Sequence, residues 1–339
     1  MSGKDLYKLK HSQQDMFVAD IVDARLKDDL HTMEHQIYNL STKKLVVPFR
    51  YEHNGNVFEV KPSTDGIPFI GDKDILIYCA SQLAAAINKK KTPKRTIRLS
   101  VHSYLITTNR GKGGKGYIDF VDSLDRLYGT HIKTDIQTNN ERIIEPFRII
   151  ENYKIIEKTK NASRDKKGAV TVDITLSKWQ YNAILAGELL TLNKDYFRLR
   201  SPINKALYLH ARKHCGHQGK YNISLDKLKK KIGIRSELKE FRRHIRAVCV
   251  KGAILEYEIN HDPEKDRVTF YNTSKKGLVA KSKDMLEAID KDLIKNMTSD
   301  CIISKEEIDR AENVYKKLIK EGADELIARN IRDKMLRKD

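Results

Sequence analysis

The chain has 339 residues, 65 Lys and Arg against 46 Asp and Glu, a net charge of +19 and 40% hydrophobic residues, which describes a soluble, highly charged protein of about two domains. No run approaches the ~20 apolar residues of a membrane span, the opening Met1-Ser-Gly-Lys-Asp lacks an apolar signal core, and Cys79, Cys215, Cys249 and Cys301 lie far apart with no Cys-x-x-Cys, so a cytoplasmic chain without metal or cofactor is expected. The charge is concentrated: residues 201–251 alone hold 14 basic and 3 acidic side chains while residues 281–339 hold 14 of each, a focusing that suits the neutralisation of phosphates.

Residues 1–40 read as an N-terminal segment, weakly patterned except for charges around Lys27-Asp28-Asp29. Residues 46–60 alternate and are broken by His53-Asn54-Gly55-Asn56, a hairpin signal. Residues 72–88 carry an apolar stripe at helical spacing with Asp at the start. A basic loop, 89–95, is followed by a short strand at 96–99, a short helix at 100–107, a glycine loop and a helix at 117–128. Strands are expected at 132–137 and 146–158.

The second half repeats this order. Pro202 opens a helix over 202–213. A short strand at 221–223, a helix over 224–232 with Ser224 as its cap, a break at Gly233 and a helix over 236–250 follow. A hairpin then joins 255–260 to 267–272 across Asp262-Pro-Glu-Lys265. Helix, strand, helix, turn, helix and hairpin is the order of a winged helix, and two copies suggest a duplicated module. The expected fold is therefore α+β: a first winged-helix domain at 41–165, a second at 166–280, and a helical, solvated extension at 281–339 in which Ser304-Lys-Glu-Glu307 fits a capping box.

The helix over 236–250 is the strongest candidate for chemistry. At 100° per residue Leu238, Phe241, Ile245, Val248 and Cys249 share one face, and Ser236, Lys239, Glu240, Arg243 and Ala247, with Arg246 beside them, share the other. Arginine can read a guanine edge with two hydrogen bonds, so this face is predicted to enter a major groove. Lys229 and Lys230 on the preceding helix are placed to cross phosphates, and Lys265 and Arg267 to touch DNA from the hairpin. In the first module the corresponding helix turns Asp119, Asp122, Asp125 and Arg126 outward. That module is therefore expected to meet DNA through its loops at 89–95 and 110–115, with Arg110, Lys112 and Lys115 as contacts, and through its wing, and to use its remaining surface for self-association or another protein.

Three motifs are discounted. Gly111-Lys-Gly-Gly-Lys-Gly116 lies between helices, not after the first strand of a βαβ unit, and reads as a flexible basic loop. His31-x-x-Glu34-His35 lacks a third ligand, and His210, His214, Cys215 and His217 sit at a helix end where cationic side chains and Gly serve capping. There is no Gly-x4-Gly-Lys-Ser/Thr and no His-x-His pair, so neither a P-loop ATPase nor a nicking enzyme is expected, and no catalytic residue is assigned.

Several segments resemble the plasmid replication initiator protein A family. They are Lys27-Asp-Asp-Leu-His-Thr-Met-Glu-His35, Asp72-Lys-Asp-Ile-Leu-Ile-Tyr78 with Ser81-Gln-Leu83, Ser123-Leu-Asp-Arg-Leu-Tyr-Gly-Thr130, and Tyr196-Phe-Arg-Leu-Arg-Ser-Pro202 running to Ala211-Arg-Lys-His-Cys-Gly216. Together they span about residues 20–275, in order. The resemblance implies a theta-type initiator that binds direct repeats (iterons) in double-stranded DNA at an origin, helps to open it, engages host initiator and helicase-loading proteins, and pairs with itself for repression. A dimeric winged-helix repressor is the alternative. Residues 283–339 lie outside the resemblance.

Overall fold

The computed structural model describes residues 6–11, 25–30, 33, 37–41, 43–53, 56–134, 137–138, 141–142, 146–157, 170–216, 218–296 and 305–336. A short strand, β1 (Lys27–Asp29), precedes a hairpin of β2 (Phe49–His53) and β3 (Asn56–Lys61). Helix α1 (Lys73–Asn88) follows. Its buried residues run without a gap from Lys73 to Ser81, with Leu83 and Ala84 beyond. A helix buried on nearly every face is the centre of a core, not its cover.

From α1 the chain passes through β4 (Thr96–Ser100), α2 (Val101–Thr107) and α3 (Gly114–Gly129). The Ser100 side chain accepts the Ser103 N–H and caps α2. Four short strands follow: β5 (His131–Thr134), β6 (Gln137–Thr138), β7 (Glu141–Arg142) and β8 (Phe147–Arg148). Strands β5 and β8 extend the first hairpin into a sheet of order β2-β3-β5-β8. Then β9 (Ile150–Glu157) and β10 (Val170–Leu176) form a second sheet with β4, of order β4-β10-β9.

This arrangement corrects two expectations. The strand expected at 132–137 belongs to a different sheet from most of the strand expected at 146–158. The boundary expected at 165/166 separates β9 from β10, although β10 is the central strand of the first module. Val172, Ile174 and Leu176 all face the core from β10, an alternation that makes it a half-buried strand of that module.

A connecting unit follows, with α4 (Lys178–Leu185), β11 (Leu189–Thr191), which pairs back onto β1, and a 3-10 turn at Tyr196–Arg198. The second module comprises α5 (Pro202–His214), β12 (Lys220–Ser224), α6 (Leu225–Lys231), α7 (Leu238–Lys251), β13 (Tyr257–Asp262) and β14 (Arg267–Asn272). Its sheet order, β12-β14-β13, is first-third-second, as in β4-β10-β9. The repeat of element order is thus also a repeat of strand order. Both modules share one core, which includes Ile75 and Leu105 from the first and Leu207 and Phe270 from the second.

Three helices end the described chain: α8 (Lys275–Asn296), α9 (Lys305–Lys320) and α10 (Glu325–Leu336). They build a small core of their own around Leu318, Ala328 and Ile331. They are not a solvated appendage. Helix α8 starts inside the expected second domain and packs on β14 and β12. Asp284 pairs with Lys220 at 2.5 Å and accepts the Tyr271 hydroxyl at 2.7 Å. Gly277 permits the approach, since a Cβ there would stand 1.8 Å from the Asn272 carbonyl oxygen. Ser304 of the expected capping box lies outside the described residues. Among the described residues no helix is long and apolar enough to cross a membrane.

Candidate nucleic-acid interface

Helix α7 is amphipathic as its spacing predicts. Phe241, Ile245 and Val248 are buried, while Leu238 and Cys249 pack half-buried against the same core. Ser236 ahead of the helix, and Lys239, Glu240, Arg243, Arg246 and Ala247 on it, are exposed. Val250, two turns beyond Arg243, is 88% exposed on this outer surface. Arg243 meets Glu240 at 2.9 Å on the surface, a contact of small energy that does not withdraw the arginine. Among the described residues, Lys239 and Arg246 have no carboxylate in ion-pair contact.

The hairpin is held to this helix by one residue that the sequence reading passed over. Asp266, in the left-handed region at φ 47°, takes two hydrogen bonds from Arg242 on α7, at 2.9 and 2.8 Å. His261 Nε2 adds a third contact at 3.1 Å. The Asp266 carbonyl accepts the Leu225 N–H at 2.9 Å, so it also ties down the start of α6. The Ser224 side chain makes no capping bond, contrary to expectation; that backbone contact satisfies one of the N–H groups of the first turn instead. The Arg242 hydrogen bond holds the Asp266 carboxyl down at about 2. At the turn itself the Asp262 side chain accepts the N–H groups of Glu264 and Lys265, an Asx turn. Lys265 and Arg267 are left exposed beside α7. On α6, Lys229 is half-buried and Lys230 exposed, the latter paired with Asp226 at 2.7 Å.

The first module departs further from expectation. Lys112 and Lys115 are exposed, and Lys115 reaches Asp119 at 3.0 Å. Arg110 is not a surface contact. Its guanidinium turns inward, donating to the Gly71 carbonyl at 2.6 Å and the Asp74 carboxylate at 3.1 Å. A buried carboxylate demands a partner more strongly than solvent attracts a guanidinium already close to it. The glycine loop is partly helix, since Gly114-Lys-Gly116 is the first turn of α3. A Cβ at Gly116 would lie 2.0 Å from the Gly111 carbonyl oxygen.

The face expected to point outward on α3 is divided: Asp119 and Asp122 stay at the surface, whereas Asp125 and Arg126 turn to internal partners. Asp125 accepts the Tyr153 hydroxyl, and Arg126 binds Asp72 at 2.7 Å. Asp122 remains exposed beside Ile118, which is 62% exposed. The His210 and His214 rings lie 4.4 Å apart, tilted by 48°; His214 stacks on Tyr221 and His210 meets that ring edge-on. His217, like most of the 31–35 motif, lies outside the described residues. No cluster of three potential metal ligands occurs among the described residues.

A cationic helix and hairpin aligned on one carboxylate make a surface suited to a polyanion, and the chain belongs to the replication initiator protein A family, whose model matches residues 27–259. The match opens on the first residue of β1 and closes within β13. A curated relative from Wigglesworthia glossinidia brevipalpis, named "Putative replication protein", is 34% identical over 263 residues, covering 76% of this chain and 93% of its own. Among solved structures, domains 2 and 3 of RctB share the fold with a TM-score of 0.51 at 14% identity, over 73% of this chain and 99% of that one.

Proposed function

We propose that this replication initiator binds direct repeats in double-stranded DNA at a plasmid origin through two tandem winged-helix modules. In this reading α7 enters the major groove, α6 crosses the phosphates, and the β13–β14 hairpin is the wing. Repeat occupancy bends the duplex and opens an adjacent A·T-rich segment, the deformation being offset by groove and backbone contacts. Host initiator and helicase-loading proteins then join the opened origin. No step requires a catalytic residue, and the chain is not an enzyme in this reading.

The observation that carries it is the alignment of exposed Lys239, Arg243, Arg246, Lys265 and Arg267 on α7 and the hairpin, with Asp266 holding the two elements together. Lys112 and Lys115 add backbone contacts from the first module. An apolar cleft of about 540 Å³ between α3 and the β9–β10 hairpin, lined by Tyr117, Ile118, Val121 and Ile155, supports self-association through that module. It also favours the second reading, a dimeric repressor. Replication of a plasmid lacking this reading frame separates the two.

Arg243→Ala is expected to cost about 1–3 kcal/mol on the cognate repeat and to relax preference at one base pair. Lys229→Ala is expected to weaken all sequences alike and to lower the salt slope by about 1. Mobility-shift titrations across a salt series check both. Wild-type affinity in Arg243→Ala, with the loss found instead in Asp119→Ala, would move the reading helix to the first module.

A further inference from the structure

Three consecutive charged residues at the start of α1 each meet opposite charge on a different part of the chain. Asp72 holds Arg126 of α3 at 2.7 and 2.9 Å and accepts the Ser123 hydroxyl at 2.7 Å. Lys73 pairs with Asp28 of β1 at 2.6 Å, with side chains 0% and 2% exposed. Asp74 holds Lys205 of α5 at 2.9 and 2.8 Å, and Arg110 at 3.1 Å. Neighbouring helical side chains point about 100° apart, so one turn of the central helix reaches three elements.

The Asp74–Lys205 pair is unlike the other two because it joins the modules. The residues stand 131 apart in sequence, and α5 opens the second module. Both side chains are buried. Burial pushes the Lys205 ammonium below its usual range, and the Asp74 carboxylate opposes that shift. A buried ion pair adds little net stability, because losing water offsets the attraction. It is directional, however, whereas the apolar contacts around it are not. A second contact across the modules, Arg235 over the Phe49 ring at 4.7 Å, lies close to the start of α7.

We propose that Lys205 is a positioning residue whose pair with Asp74 sets the angle between the modules, and with it the spacing of the two DNA segments they contact together. This rests on the reading that both modules contact DNA.

Lys205→Met in the full-length chain is the informative variant, because Arg110 remains as a partner for Asp74. Lys205→Arg keeps the charge. Inserting two base pairs within one repeat rotates its halves by about 70°, and a rigid pair of modules should lose about tenfold or more in affinity when both cannot engage. Wild type and Lys205→Arg are expected to show that loss, and Lys205→Met about twofold or less. Spin labels at Lys90→Cys and Val250→Cys, in a chain with Cys249 and Cys301 changed to Ser, read the module geometry without DNA. A narrow distance distribution in wild type should broaden in Lys205→Met and narrow again in Lys205→Arg. A folded Lys205→Met with wild-type spacing discrimination and a narrow distribution overturns the inference. If Lys205→Met does not fold, the Asp74→Asn, Lys205→Met double variant removes both charges and takes the same two readings. Wild type that binds no repeat overturns the functional reading instead, and the label distances still judge the Asp74–Lys205 pair.

Discussion

Asp266 shows how one side chain can align a binding surface without belonging to it. Arg242, His261 and the backbone of Leu225 converge on it, so α6, α7 and the hairpin share one anchor. Its carboxyl is held at about 2 in the fold, whereas an unfolded aspartate titrates near about 3.9. The folded state therefore favours the ionised form. The stabilisation is fully present above about pH 4 and is lost as pH falls through about 2. Thermal melts of wild type and Asp266→Asn should differ most above pH 4 and converge towards pH 2. A gap of equal size at pH 2 and pH 6 would show that the carboxylate charge is not its source. Arg110 teaches the converse. Its neighbours Lys112 and Lys115 are solvated, yet its own charge is committed to Asp74, a partner 36 residues away that no local pattern announces.

Helix α8 changes the meaning of the last quarter of the chain. The family match ends at residue 259, but the β12-β14-β13 sheet continues to Asn272 and α8 covers part of it. Residues 281–339 carry as many positive as negative charges, so their removal should leave the electrostatic part of DNA affinity unchanged. Deleting residues 297–339, after α8, is expected to keep near-normal repeat binding. Deleting from residue 275 uncovers Tyr271, strands Lys220 without Asp284 and should cost about 1–3 kcal/mol, read as a lower Tm of the transition the two modules share. Equal melting of the two truncations would mean that α8 contributes nothing to the sheet beneath it.

For the whole molecule, the deciding feature is that one core runs through both modules while the C-terminal helices keep another. Elements that share a core unfold together. Scanning calorimetry should therefore show one large transition for the two modules and a smaller one, at lower temperature, for α9 and α10. Cognate DNA should raise the large transition, because a ligand that binds only the folded state stabilises it. Two separate transitions of similar size would mean that the modules are thermodynamically independent, with Asp74–Lys205 and the contacts around it too weak to couple them.

The sequence by itself determined most of the helices and strands, though not β1, β10, α4 or β11, together with the buried and exposed faces of α7, the family, and the module in which the charge is concentrated. Helical and strand periodicity is local, and net charge is additive, so neither needs the fold to be read. The tertiary structure alone decided which cations face solvent, that β10 rather than the 132–137 segment completes the sheet of β4 and β9, and that α8 covers part of the β12-β14-β13 sheet. It also decided that Asp72, Lys73 and Asp74 gather β1, α3 and α5 around one helical turn. Each of these depends on a partner brought close only by folding, and a buried charge takes the partner that geometry supplies.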